Sequence, residues 1–333
     1  MPWKGEKDPY RIWLSEIILQ QTRVEQGLPY YQRFLTHFPN IDLLARALDT
    51  QVLKLWEGLG YYSRCRNLLA TARHIANDRK GVFPQTYEEI RTLAGIGPYT
   101  AAAISSFAFN LPHAVVDGNV FRVLARVFGI SAPTDSTAGK KLFTELADDL
   151  IDRDQPGIYN QAIMDFGATV CKPVAPLCGT CVLRKICIAF NENRVEGLPV
   201  KEKKLKSRKR WFYYLVPEYK DQTLIRQRTA KDIWQQLYEF PMVETTAKEE
   251  AEVILSKAEQ DGWLQRGGYE VISVSPVFKQ QLSHQLITGR FIRVKLDSRI
   301  KSGNLKWISR KQMDQYPFPR FINQYLDEQK RID

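Results

Sequence analysis

Four of the chain's five cysteines, Cys171, Cys178, Cys181 and Cys187, fall within seventeen residues in the spacing C-x6-C-x2-C-x5-C. Thiols crowd in this way around a shared metal group or in disulfides. Disulfides suit small secreted chains, whereas this chain has 333 residues, begins without an apolar signal segment and is long enough to build its own core. Zinc sites usually present two short pairs. Here there is one short pair and two wider gaps, which suit a larger object, a cuboidal 4Fe-4S iron–sulfur cluster, with zinc as the alternative.

The length predicts two or three domains. No apolar run is long enough to cross a bilayer, so a soluble protein is expected, and thiolate ligation points to a reducing, cytoplasmic setting. The net charge is +11, of which the run KEKKLKSRKR at 201–210 carries +6, leaving +5 on the rest. This balance favours a polyanionic partner such as nucleic acid, although the run by itself reads equally well as a solvated linker.

Between residues 10 and 190 apolar positions recur every three or four residues (Trp13, Ile17; Leu53, Trp56; Leu68, Ala72, Ile75; Val120, Leu124, Val127), which predicts a mostly helical region. Breaks are expected at Phe38-Pro39-Asn40, Gly81-Val82-Phe83-Pro84 and Ala132-Pro133-Thr134-Asp135. After the basic run, residues 211–216, 269–274 and 291–296 are aromatic and β-branched, and helices are expected near 248–260 and 320–329. The reading is a helical region over 1–200, a linker over 201–210, and an α+β domain over 211–333.

Three places carry candidate chemistry. In Leu93-Ala94-Gly95-Ile96-Gly97-Pro98-Tyr99, Gly95 and Gly97 permit a tight turn and Pro98 suits the first position of a new helix. The exposed N–H groups of such a helix start attract phosphate, so this reads as a helix-hairpin-helix gripping a nucleic-acid backbone, or as a plain helical corner. Glu16 has Ile12, Trp13, Leu19 and Gln20 as its helical neighbours, a setting that would raise its pKa and keep it protonated as a general acid needs; the alternative is a helix carboxylate satisfied by an arginine from elsewhere in the chain. Asp117, after Ala114-Val115-Val116 and before Gly118-Asn119-Val120, is placed to cap a helix, where negative charge is favoured. Two carboxyls held in opposite protonation states suit cleavage of a sugar–heteroatom bond.

With these residues in view, the chain resembles the helix-hairpin-helix/iron–sulfur DNA glycosylases, and within them the adenine DNA glycosylases of the MutY type. The resemblance rests on Asp8-Pro9-Tyr10, the run from Trp13 to Thr22, Gly58-Leu59-Gly60-Tyr61-Tyr62, Leu93 to Tyr99, Val116 to Val120, Met164 to Ala168 and the four cysteines. It covers residues 2–190 densely and the remainder loosely. It implies a helical glycosylase fold with one 4Fe-4S cluster per chain on Cys171, Cys178, Cys181 and Cys187. The implied activity is that of a monomer on double-stranded DNA, releasing adenine mispaired with 8-oxoguanine or guanine after flipping it from the stack. By the same resemblance Glu16 protonates the base and Asp117 stabilises the sugar cation or forms an adduct with it. Tyr99 and Asn119 support these two acids, and Gln21 and Tyr61 match the positions that wedge into the duplex.

Relatives that also cut the strand carry a lysine where Tyr99 stands, and no lysine occurs between Lys80 and Lys140, so a monofunctional enzyme is expected. The C-terminal part resembles the family's Nudix-like domain. Its stretch from Leu237 to Glu252 lacks the R-E-x-x-E-E metal box, so the domain should bind rather than hydrolyse. Leu282-Ser283-His284 matches the loop placed around 8-oxoguanine, with Leu282 replacing an aromatic. A second departure is that relatives carry a helical segment before the Pro-Trp that stands here at Pro2-Trp3. The competing readings are an oxidised-pyrimidine glycosylase with lyase activity, a non-catalytic iron–sulfur protein that scans DNA, and a Nudix nucleotide hydrolase. Tyr99, the paired acids and the missing box respectively disfavour them.

Overall fold

The computed structural model describes residues 4–202, 207–300 and 305–332. Pro2-Trp3 and part of the basic run lie outside them. Contacts divide the chain into two compact units, Met1–Ala47 with Ser63–Lys204, and Leu48–Tyr62 with Leu205–Asp333.

The first unit is helical, built from α1 (Pro9–Leu19), α2 (Val24–His37) and α3 (Ile41–Arg46). It continues, after α4 (Asp49–Trp56) of the other unit, with α5 (Tyr62–Asp78), α6 (Tyr87–Arg91), α7 (Pro98–Phe109), α8 (Gly118–Val127), α9 (Thr137–Leu150), α10 (Pro156–Thr169) and α11 (Ile188–Asn191). The helix starts follow local chemistry. Asp8, Asn40, Thr86 and Ser136 each accept a backbone N–H of the first turn, and Pro9, Pro98 and Pro156 occupy first positions. α1 and α7 are apolar around most of their circumference, and each buries seven residues. Such helices belong in the middle of a core rather than on its surface. They pack on each other, and the alanines 101–103 bring α7 in closely. Val120, Leu124, Phe143 and Ala147 continue this core across α8 and α9. The expected breaks fall between α2 and α3, α5 and α6, and α8 and α9.

The second unit is a mixed sheet flanked by helices. Its strands are β1 (Arg208–Tyr219), β2 (Gln222–Gln227), β3 (Tyr238–Glu239), β4 (Met242–Thr245), β5 (Tyr269–Val274), β6 (Phe278–Gln281), β7 (Gln285–Leu296) and β8 (Leu305–Ser309). The order is β3-β2-β1-β7-β5, with β4 on β1, β6 on β7 and β8 on β2; β1 and β7 run parallel and the other pairs antiparallel. Residues 212–216 of β1 are buried on both faces, as a continuous apolar run in a central strand should be. Tyr213, Leu215, Ile292 and Val294 pack with Ile254 and Ala258 of helix α12 (Ala251–Gln260). On the opposite face Tyr214, Phe278 and Phe291 meet Phe321 and Tyr325 of α13 (Arg320–Ile332).

One expectation is corrected here. Arg208, Lys209 and Arg210, read as the end of a solvated linker, are the first residues of β1, and Arg210 is only 5% exposed. Its guanidinium is held by Asp232 at 2.7 and 2.9 Å and by both oxygens of Glu244 at 2.7 Å. The boundary of the second unit also differs from the linear reading, since residues 48–62, with α4, group with it.

Candidate active site

Glu16 leaves α1 into a cavity of about 530 Å³, walled by Ile12, Ser15, Leu19, Val24, Tyr99, Phe107, Asn119 and Met164. Apolar neighbours strip water from its carboxyl, and this desolvation pushes its pKa up to about 7; a hydrogen bond with Tyr99 opposes the rise and the nearby charge of Asp117 adds to it. Burial, with these two acids beside it, holds the Tyr99 phenol well above the usual tyrosine range, so Tyr99 is a neutral hydroxyl.

Asp117 caps α8. Its Oδ1 accepts the N–H groups of Asn119 and Val120, both at 2.8 Å, and its Oδ2 accepts Asn119 Nδ2 at 2.8 Å. Arg122 in turn donates to Asn119 Oδ1 at 2.8 Å and to Gly167 O at 2.7 Å. A Cβ at Gly167 would come within 2.8 Å of the Asn119 Cβ, so this glycine lets α10 close on the acid-bearing turn. Glu16, Tyr99, Asp117 and Asn119 are therefore brought together as one group, although 101 positions separate Glu16 from Asp117 in the chain.

The hairpin lies between α6 and α7. Gly95 has φ +77°, and Gly97, the residue before α7, brings no side-chain cap, so the first N–H groups of α7 are left for an outside acceptor. No heavy atom lies within 4 Å of where a Cβ on Gly97 would stand, so a phosphate has room to approach. Gln21 and Tyr61 both hold left-handed backbone, φ 55° and 47°, a conformation uncommon outside glycine and frequent at functional turns. Gln21 is exposed in the α1–α2 turn and Tyr61 is 43% exposed. In the second unit Ser283 and His284 form the exposed tip of the β6–β7 hairpin, closed by Leu282 N donating to Gln285 O at 2.7 Å. The Tyr61 hydroxyl is hydrogen-bonded to Ser283 Oγ, a pairing that nothing in the sequence indicates.

The four cysteines are unpaired and line one small cavity with Val170, Leu177 and Leu183. Burial, followed by the facing thiols of Cys171, Cys181 and Cys187, pushes the Cys178 thiol up. Two buried arginines anchor this loop to α8: Arg122 donates to Cys171 O at 2.7 Å, and Arg126 to Lys172 O at 2.8 Å and to Val195 O and Leu198 O at 3.0 Å. Among the described residues no group of three or more His, Cys, Asp or Glu stands at the spacing of a single metal ion. A set of four sulfur donors around one cavity suits an iron–sulfur cluster and suits zinc as well.

Sequence reasoning gave no role to Asp165, which lines the cavity of Glu16 and holds Lys4 at 2.6 Å and Gln161 at 2.9 Å. Its place one helical turn after Gln161 was the available signal. It also missed Arg122 and Arg126, whose role depends on carbonyls more than forty residues away.

Residues 14–147 match the family model of the HhH-GPD superfamily base excision DNA repair proteins, and residues 212–328 that of the NUDIX domain. The adenine DNA glycosylase of Buchnera aphidicola subsp. Baizongia pistaciae is 35% identical over 289 residues, covering 85% of this chain and 78% of its own. The mouse adenine DNA glycosylase is 42% identical over 199 residues, covering 57% of this chain and 39% of its own. Among solved structures, a thermostable thymine-DNA glycosylase superposes with a TM-score of 0.54 at 30% identity, covering 58% of this chain and 88% of its own. An endonuclease III–DNA complex, at 20% identity and a TM-score of 0.50, shares the fold over 56% of this chain and 86% of its own.

Proposed function

Because this chain belongs to the adenine DNA glycosylase family, we propose that it hydrolyses the N-glycosidic bond of adenine paired with 8-oxoguanine or guanine in duplex DNA. The observation that supports this best is a single carboxyl, Glu16, raised to about 7 by desolvation at the wall of a cavity with room for a purine, next to a second carboxylate fixed by three N–H donors. The hairpin holds the phosphate backbone while the adenine rotates into the cavity. Glu16 passes its proton to a ring nitrogen of the purine as the bond to C1′ breaks, and the bonding pair leaves with the base. Asp117 stabilises the positive charge left on the sugar, directly or as a transient ester, until water adds at C1′ and its released proton returns to the Glu16 carboxylate. Tyr99 and Asn119 hold the two acids in place. With no lysine between Lys80 and Lys140, the hairpin region supplies no amine to attack C1′, so the strand stays uncut.

Gln21 and Tyr61 fill the gap left in the duplex, and Ser283 with His284 read the base opposite. Cys171, Cys178, Cys181 and Cys187 would hold a 4Fe-4S cluster, which supplies a cross-tie of the 171–187 loop and takes no part in the steps above. Single-turnover release of adenine from duplexes with A opposite 8-oxoguanine, beside a thymine-glycol duplex, tests the reading. Release from the first alone supports it; release from the second, with borohydride-trappable protein, overturns it.

A further inference from the structure

Helices α1 and α7, which bring Glu16 and Tyr99, share two side-chain hydrogen bonds among the described residues. One joins Glu16 and Tyr99 themselves. The other runs from Gln20 Nε2 to Thr100 Oγ1 at 3.1 Å. Gln20 stands four positions after Glu16, so the two side chains leave the same face of α1, one turn apart. Gln20 is also where the helix stops. Its N–H donates to Glu16 O at 3.1 Å, and the next residue, Gln21, turns left-handed. Arg64 of α5 donates to Ile17 O, Ile18 O and Gln20 O at 3.0, 2.8 and 2.6 Å. This ties the carbonyl end of α1 to α5, and leaves its seating against α7 to the two side-chain bonds.

Thr100 is only 2% exposed, and Gln20 is the partner of its hydroxyl among the described residues. A valine would fill the same space, so what the hydroxyl adds is the bond. Pro98 has no N–H, so Tyr99 and Thr100 also carry the first open donors of α7, the ones a phosphate at the hairpin would meet. Resting on the function proposed above, we propose that Gln20 and Thr100 are positioning residues: their hydrogen bond seats α1 against α7 and so holds the Glu16 carboxyl on the Tyr99 hydroxyl. Thr100 thereby serves the duplex backbone through its N–H and the acid-bearing helix through its side chain.

The test is Thr100→Val in the full chain, which removes the hydroxyl and keeps the branched shape. Single-turnover adenine release is followed against pH, and the Glu16 midpoint is read again without DNA, as the pH window over which urea stability departs from that of the matching Glu16→Gln variant. The Tyr99 hydrogen bond lowers the proton affinity of Glu16. Loosening it should move the midpoint up by about half a pH unit and cut the low-pH rate about tenfold. Thr100→Ser keeps the hydroxyl and should restore both. Gln20→Met breaks the same bond from its half-buried side and should repeat the shift. The other titratable groups at the cavity, Asp117, Asp165, Glu6 and Lys7, are untouched by these changes. In a Tyr99→Phe background, which lacks the bond to Glu16, Thr100→Val should move the midpoint no further. An unmoved midpoint, or the same shift in the Tyr99→Phe background, would overturn the proposal. A wild type that released no adenine would instead end the function proposed above, and the midpoint read from stability would still decide the positioning.

Discussion

In the helical unit Glu16 is withdrawn from water beside a second acid, Asp117, with a neutral tyrosine as its hydrogen-bond partner. In the sheet unit the buried Arg210, Arg228 and Glu239 instead alternate with the less buried Arg226, Asp232 and Glu244 in an unbroken series, Arg226–Glu239–Arg228–Asp232–Arg210–Glu244, with closest contacts of 2.6 to 3.1 Å. Both arrangements take ionisable groups out of water. In the series each charge faces its opposite, desolvation is offset, and the result is architecture. At Glu16 no opposite charge offsets it and the Tyr99 hydrogen bond opposes it only in part, so the cost appears as proton affinity, which a general acid can use.

The contrast is broken most directly at Glu16. Glu16→Gln cannot donate a proton and should slow single-turnover adenine release by about a thousandfold or more, with duplex binding retained. Near-wild-type rates would remove Glu16 from the mechanism. The same carboxyl carries a pH signature. Its folded value of about 7 lies above the ordinary 4.5, so the folded chain holds this proton more tightly than the unfolded one. The associated stability is fully present below about pH 4.5 and is lost as pH rises through about 7, about 3 kcal/mol in all. Relative to Glu16→Gln, the wild type should lose stability in urea titrations across that window, while base release falls about tenfold per pH unit above 7.

Glu239→Gln tests the opposite behaviour. It removes the negative partner of both Arg226 and Arg228, held at 3.0 and 2.6 Å, and should destabilise the sheet unit by about 3 kcal/mol without altering adenine release per folded molecule. A matching loss of activity would mean that the series is functional. Asp117→Asn falls between the two. The amide keeps an acceptor for the cap, so melting should shift by no more than about 1 kcal/mol, while adenine release drops about a hundredfold. If stability fell and activity held, Asp117 would be a cap and nothing more. The smallest effect is expected at the hairpin tip: alanine at both Ser283 and His284 should cut the preference for 8-oxoguanine over guanine about tenfold and leave release from an A:G pair intact.

Much of the helical unit was legible because its signals are local. Proline and Asx or Ser/Thr caps mark the helix starts, and apolar periodicity marks the buried faces of helices such as α8. Gly95 marks the hairpin through its left-handed turn, and Gly97 through the open space it leaves before α7. The strand around residues 211–216 was readable from its continuous apolar run, as a central strand buried on both faces requires, and the one around 291–296 from a partial alternation in which Arg293 and Lys295 interrupt the apolar residues. The basic run misled because charge density alone does not distinguish a solvated segment from the edge of an ion-pair series. Arg210 becomes structural only when β4 and the turn bearing Asp232 fold against it.

By itself the sequence determined which groups exist and how they are spaced along the chain: four thiols in one loop, a turn that exposes N–H groups, two candidate acids, and no lysine beside the hairpin. Tertiary structure decided what each group became. It placed Asp117 beside Glu16, joined Tyr61 to Ser283, drew residues 48–62 into the sheet unit and set Arg122 and Arg126 under the cysteine loop. Capping, turn geometry and periodicity are settled within a few residues, whereas desolvation and charge pairing depend on segments brought together from across the chain.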